Sequence, residues 1–272
     1  KTKIDIKKTM VWRFLLEVWC HGKRHLLKVL IDKFAWKTQN PGLKSKRAHV
    51  SKSTKHGTGK TSLYHFLKAM WGADKCIFEL NLRKLHQNFN LYQANSLLIW
   101  CDDIDNSSNK QTGDLKARIS ADDMTFEAKG QKPISLQDTS EYWMTSNCEV
   151  PLYTEKECRR QLVIECSDCW KNADGRKKFN QLYAEFRSLD TMKAWFDHLC
   201  TRDVSQHSNF PEDDPQEWSQ SKEVQKLKCM KMPLRFIAEM FADEEWPWRY
   251  IQNTEHADEF LSKIAICSLK AN

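Results

Sequence analysis

Apolar residues recur at three- and four-residue steps in two stretches near the amino terminus, "VWRFLLEVW" (11–19) and "HLLKVLIDKFAW" (25–36), and this spacing predicts helices. "QNPGLKSK" (39–46) breaks the rhythm with Asn-Pro-Gly, a turn signal. The pattern then changes to short continuous apolar runs. "CIFEL" (76–80), "SLLIWCDD" (96–103), "YWMTSN" (142–147) and "QLVIEC" (161–166) predict buried strands, "RAHVSKS" (47–53) could form a short strand before the glycines that follow it, and "TSLYHFLKAMWG" (61–72) predicts a helix closed by Gly72. Strands separated by amphipathic segments predict an α/β fold with a mostly parallel sheet. From about residue 170 the pattern is helical again through "KKFNQLYAEFRSLDTMKAWFDHL" (177–199), followed by a polar, proline-containing link at 203–216 and a further helical stretch, "MPLRFIAEMFADEE" (232–245). The chain therefore divides into a helical lead-in (1–45), a core (46–168) and a mainly helical carboxyl-terminal region (169–272), flanking the core on both sides.

One segment between predicted elements carries chemistry of its own. "STKHGTGKTS" (53–62) holds most of the phosphate-loop pattern G-x-x-x-x-G-K-[ST], with Thr54 in place of its first glycine. Gly57 and Gly59 let the backbone approach a phosphate chain closely, and Thr54, Thr58 and Ser62 complete the loop. Lys60 would set its ammonium against the β- and γ-phosphates of ATP, and Thr61 would offer a hydroxyl to Mg2+. The predicted strand at 96–103 ends in Asp102 and Asp103. One carboxylate there can hold the metal and the next can polarise the attacking water. We assign Asp102 to the metal and Asp103 to the water, the reverse assignment being open. Asn147 ends the strand "YWMTSN", where its amide could contact the γ-phosphate or orient the lytic water. Arg159 and Arg160 precede the last predicted strand, where a guanidinium could reach a neighbouring subunit's nucleotide.

Composition changes this picture little. The 43 Lys and Arg against 36 Asp and Glu give +7, a mild bias toward polyanionic partners. Any single charge run reads most simply as a solvated face. The ten cysteines lack zinc-ribbon spacing, with Cys166 and Cys169 the only C-x-x-C, and most lie among apolar residues, as free thiols of an intracellular protein do. The longest apolar run, "LLIWC" (97–101), is too short to span a membrane, no secretory leader is evident, and a first residue of Lys suggests a segment of a longer polypeptide.

Taken in order, the glycine loop, the acidic strand, the asparagine strand and the arginine pair resemble the superfamily 3 helicase domain of viral, plasmid and mobile-element primase–helicases. The similarity spans about residues 10–245 and is strongest at 39–62, 97–105, 116–132 and 142–160. It implies an AAA+-like P-loop NTPase core in a virus or mobile element. Its expected activity is Mg2+-dependent ATP hydrolysis driving movement on single-stranded DNA, in a homo-oligomer, by resemblance a hexameric ring, with a primase module upstream on the same polypeptide. In such proteins a hairpin between the acidic and asparagine strands carries DNA-binding lysines. Lys116 matches the lysine near its start, and Lys129 and Lys132 fall where the tip should be. "MTFEAKGQKPISL" (124–136) agrees, with two strand-like runs around a Lys-Gly-Gln-Lys turn. Two departures stand out: Thr54 for glycine, and Asp103 where glutamate is common. They leave open a different outcome, a degenerate P-loop protein that binds nucleotide or nucleic acid without turnover.

Overall fold

In a computed structural model, residues 4–80, 82–104, 109–154, 158–207 and 214–229 are described. They fall into two compact units: one holds residues up to Tyr153 and 158–222, the other Thr154 with 223–229. The predicted helical stretch at 232–245 lies outside the described residues.

The short stretch before the glycine loop and the four apolar runs are five strands: β1 (Ala48–Lys52), β2 (Cys76–Glu79), β3 (Leu98–Cys101), β6 (Glu141–Ser146) and β7 (Gln161–Glu165). They pair in parallel in the order β2-β3-β6-β1-β7. Register sets Lys52 beside Ser146 and Glu165, so the carboxyl ends of the three strands share one edge. A separate antiparallel hairpin, β4 (Asp123–Phe126) with β5 (Ile134–Gln137), leaves the chain between β3 and β6.

Although the central strands are buried on both faces, their side chains still alternate between two cores. His49, Trp100, Trp143, Leu162 and Ile164 face the larger core, and Ala48, Val50, Ile99, Cys101, Tyr142 and Met144 face the smaller. The larger core is closed by the lead-in helix α1 (Met10–Phe14), which continues as a π-helical turn through Trp19, by α2 (Arg24–Gln39) and α3 (Lys60–Trp71), and by α5 (Gly175–Arg187) and α6 (Leu189–Thr201). The predicted helical run at 177–199 is thus two helices. Ser188 separates them in extended conformation and caps α6 by accepting from the Thr191 amide at 3.3 Å. The smaller core is covered by α4 (Asn109–Ser120), whose Leu115 and Ile119 face the sheet. A final helix, α7, runs over Gln216–Cys229. No helix among the described residues is long and apolar enough to cross a membrane.

Part of the basic run before β1 is buried and not solvated. Lys37, buried, donates to the carbonyls of Pro41 (3.2 Å), Leu43 (2.5 Å) and Thr139 (2.6 Å) and so closes the Asn-Pro-Gly turn. Lys44 is buried against Asp138 at 3.0 Å, and Arg47 and Lys33 share Asp214 at 2.7 and 3.6 Å. Glu141 accepts from the amide and hydroxyl of Ser45. Solvation fails as a reading for Lys33, Lys37, Lys44 and Arg47, because each has found carbonyls or a carboxylate that replace water.

Lys33 shows the cost of this arrangement. Burial pulls its pKa from 10.5 down to about 8, with Asp214 opposing the shift. Its folded value lies below its unfolded value, so the unfolded chain binds more protons between those limits and stability rises with pH across that window. The penalty is complete below about pH 8 and gone above about pH 10.5. Lys33→Met should therefore raise the urea midpoint at pH 7 and raise it less at pH 10. An equal gain at both pH values would contradict this account.

Candidate functional site

The glycine loop leaves the carboxyl end of β1 and enters α3 directly, with Lys60 as the first helical residue. Gly57 and Gly59 take φ of +72° and +90°, conformations open to glycine and strained for other residues. Nothing lies within 4 Å of a Cβ built on Gly57, whereas one on Gly59 would meet the Phe179 ring at 2.6 Å. Thr54 is exposed and does not have a positive φ. The residue that departs from the motif thus needs no glycine conformation.

Two further strands, β3 and β6, deliver the remaining groups to the same edge. Thr61 donates its hydroxyl to Asp102 at 3.1 Å. Asp102, at the end of β3, also receives the Thr145 hydroxyl of β6, and the Trp100 indole points at it from 3.4 Å. Thr145 in turn accepts from the Asp103 amide at 3.1 Å, steadying a residue whose φ is +50°. Asn147 bridges the site's two halves. Its carbonyl accepts from the Lys60 ammonium at 2.7 Å, and its amide nitrogen donates to Asp103 at 2.8 Å. Lys60 also donates to the Ser53 hydroxyl at 2.7 Å.

Ser53 and Thr145 are participants that the motif reading missed. Ser53 hydrogen-bonds Thr58 at 3.1 Å and the Lys55 carbonyl at 2.8 Å, fixing the loop's entrance. Its place one residue before the motif is a weak signal, visible only in retrospect.

These groups line a cleft of about 390 Å3 that contains Gly57, Thr58, Gly59, Lys60, Thr61, Ser62, Asp102, Asp103, Thr145 and Asn147. Its far wall is aromatic, made by Phe179 and Tyr183 of α5, with the Tyr183 hydroxyl 3.1 Å from that of Ser62. Glu185 holds α5 in place by accepting from the first amides of α1, Met10 and Val11, at 2.8 and 3.0 Å. Residues from a helix more than a hundred positions downstream of the loop carry no local signal of this role.

The donor set suits a magnesium-bound phosphate chain. Lys60, buried, is held by two neutral oxygens and not by a carboxylate. Burial draws its pKa below the usual lysine value, opposed by the charges around it, Asp102 and Asp103 included. The paired hydroxyl and carboxylate of Thr61 and Asp102 are hard oxygen ligands of the kind Mg2+ takes.

The other residues singled out in the sequence lie elsewhere. Arg159 and Arg160 stand before β7, where the Arg160 carbonyl accepts from the Ala48 amide at 2.7 Å. That is the amino end of the sheet, five strand positions and roughly 15 Å from the glycine loop. Lys129 and Lys132 are exposed at the turn joining β4 to β5, flanking Gly130 with φ +75°. Lys116 is on α4, half-buried, one element before the hairpin.

Comparison with known proteins adds the fold. A family of unknown function, DUF5906, matches residues 52–160, from the end of β1 to the arginine pair. No curated protein matches the chain. The NrS-1 C-terminal region (305–718) in its A form is similar in structure, with a TM-score of 0.68 at 19 % identity over 95 % of this chain. A second structure of that region gives 0.65 at 18 % identity over 97 % of the chain. The chain spans 62 % of the first and 66 % of the second. JCV helicase, solved with a small organic molecule bound, is a more distant likeness at a TM-score of 0.40 and 16 % identity, over 76 % of this chain and 58 % of that one. The mixed α/β fold with a five-stranded parallel sheet is thus one that solved proteins share.

Two loop positions, the non-consensus Thr54 and the consensus Gly59, are separated by experiment. Thr54→Gly should change stability by no more than about 1 kcal/mol, since only unfolded-chain entropy differs. Gly59→Ala, which both strains φ and strikes Phe179, should cost more than that. Thermal and urea denaturation of the two variants would show the reverse order if Thr54 were the strained position.

Proposed function

We propose that this chain is the ATP-hydrolysing domain of a DNA helicase, acting in a homo-oligomeric ring on single-stranded DNA. One observation carries the reading: Lys60, Thr61, Asp102, Asp103 and Asn147, from one helix and the ends of two strands, are joined through Thr145 in a single hydrogen-bonded circuit. Chance surface loops do not assemble a cation, a metal-ligating pair and a water-binding carboxylate at one edge of a parallel sheet.

In this reading the loop's backbone amides and the amino end of α3 hold the phosphates, and Lys60 turns from Asn147 toward their outer oxygens. Thr61 and Asp102 would hold Mg2+, which when bound neutralises charge on the phosphate oxygens. Asp103 accepts a hydrogen bond from the attacking water and, as the O–P bond forms and the bridging P–O bond breaks, takes up its proton. Asn147 would orient that water, a role its hydrogen bond to the same carboxylate supports. Lys129 and Lys132 present sequence-independent charge to the DNA backbone at the exposed hairpin turn.

Lys60→Ala should abolish ATP hydrolysis, and Asp103→Asn should lower kcat by about 100-fold or more while leaving nucleotide binding within a few-fold. Lys129→Ala with Lys132→Ala should reduce stimulation by oligonucleotide. Measurable turnover in the Lys60 variant would remove the enzymatic reading. Nucleotide binding by the wild-type chain with no turnover would favour a P-loop protein that binds without hydrolysing.

A further inference from the structure

A second cavity, of about 270 Å3, opens at the amino end of the sheet, on the opposite side from the Lys60 cleft. Ser45, Lys46, Arg47, Ser120, Arg159 and Arg160 line it. Of the six described residues that line it, four are cations and none is a carboxylate. Asp214 occupies one edge of the Arg47 guanidinium, at 2.7 Å, and Asp122 pairs with the exposed Lys46, also at 2.7 Å. Arg159 and Arg160 have no ion-pair partner among the described residues. The two wall hydroxyls are already donating, Ser45 to Glu141 and Ser120 to the Lys116 carbonyl, which leaves guanidinium N–H groups as the donors a ligand would meet.

The backbone makes this a built cavity. Arg160 is fixed to β1 through its carbonyl, and Arg47 immediately precedes Ala48, the residue whose amide makes that bond. Lys46 sits at φ +54°, a conformation uncommon for lysine that turns the chain into β1. Clustered guanidiniums in a recess are suited to a phosphate oxyanion, which takes two parallel N–H bonds from each fork.

The cavity's position indicates which phosphate. Its Ser120 wall is the last residue of α4, and the hairpin begins three residues later at Asp123. Asp122, which pairs with Lys46, is also the hairpin's root, where its carbonyl accepts from the Asp138 amide at 2.8 Å. The exposed lysines are at the other end of the same hairpin. The residues from 122 to 130, at up to 3.4 Å each, span on the order of 25 Å, enough for a few nucleotides of an extended strand. The geometry points to this recess as a phosphodiester-binding site at the hairpin root, where Arg47, Arg159 and Arg160 hold the backbone of the single strand that Lys129 and Lys132 also touch. This rests on the proposed DNA-binding function. It gives the arginine pair a partner other than a nucleotide held by a second copy.

The test is the salt dependence of oligo-dT binding by the full chain, followed by fluorescence anisotropy. Removing one phosphate interaction with a single strand lowers the slope of log K against log salt by about 0.7. Arg159→Ala with Arg160→Ala should weaken binding by about tenfold at 0.1 M salt and flatten the slope by about 0.7 to 1.4. Arg159→Lys with Arg160→Lys should recover most of the slope, which a purely structural role would not require. An unchanged slope in the alanine variant overturns the inference, and a simultaneous loss of ATP hydrolysis would then assign the pair to a nucleotide on another copy. If the wild-type chain binds no oligonucleotide, the helicase reading itself fails. Binding that disappears in the Lys129/Lys132 variant but is untouched in the arginine variant defeats this inference alone.

Discussion

The pairing of β6 between β1 and β3 is the constraint on which the site depends. Neighbouring strands lie about 4.8 Å apart, so the inserted strand holds the glycine-loop strand and the acidic strand roughly 10 Å from each other. Were they adjacent, Lys60 would fall onto Asp102 and Asp103 as a tight ion pair, and an incoming anion would have to break it. With β6 between them, Lys60 rests on the neutral carbonyl of Asn147, and the carboxylates are held by hydroxyls and an amide. Cation and carboxylates are kept close without being paired to one another.

The same topology accounts for what was legible in the sequence. Four of the five strands could be read from apolar runs, because a strand buried on both faces is mostly apolar, whereas β1, with buried His49, Ser51 and Lys52, was legible only from its place before the glycine loop. The glycine loop, the two aspartates and Asn147 could be read because each is local: a short motif or a strand end. Their convergence was legible only through a resemblance, since strand order is a tertiary property and no residue in "YWMTSN" states its neighbours. The aromatic wall was hidden for the same reason, as Phe179 and Tyr183 reach the loop only because α5 is clamped to α1 by Glu185.

A different failure concerns charge. Lysine and arginine read as surface residues, yet Lys33, Lys37, Lys44 and Arg118 are almost wholly buried. Arg118 lies beneath the hairpin root, donating to the Tyr142 hydroxyl at 2.9 Å, and Tyr142 donates to Asp138 at 2.6 Å. Pattern reading cannot anticipate such a network, because each member is tolerable only once all the others are in place. α4 escaped notice for a related reason. "NKQTGDLKARIS" is polar overall, and its short buried stripe includes that same arginine.

The hairpin root has a mechanical consequence. A two-stranded ribbon is marginal by itself in water, so β4 and β5 depend on where they are clamped. The clamp is Asp138, gripped by Lys44 and by Tyr142, and only residues 138–140 separate β5 from the start of β6. Tyr142 lies three residues before Thr145 and five before Asn147 on a strand stiffened by neighbours on both sides. The ribbon is therefore a lever whose fulcrum is built into the strand that carries the site's central amide. A load on its tip has no slack loop in which to dissipate before it reaches that strand.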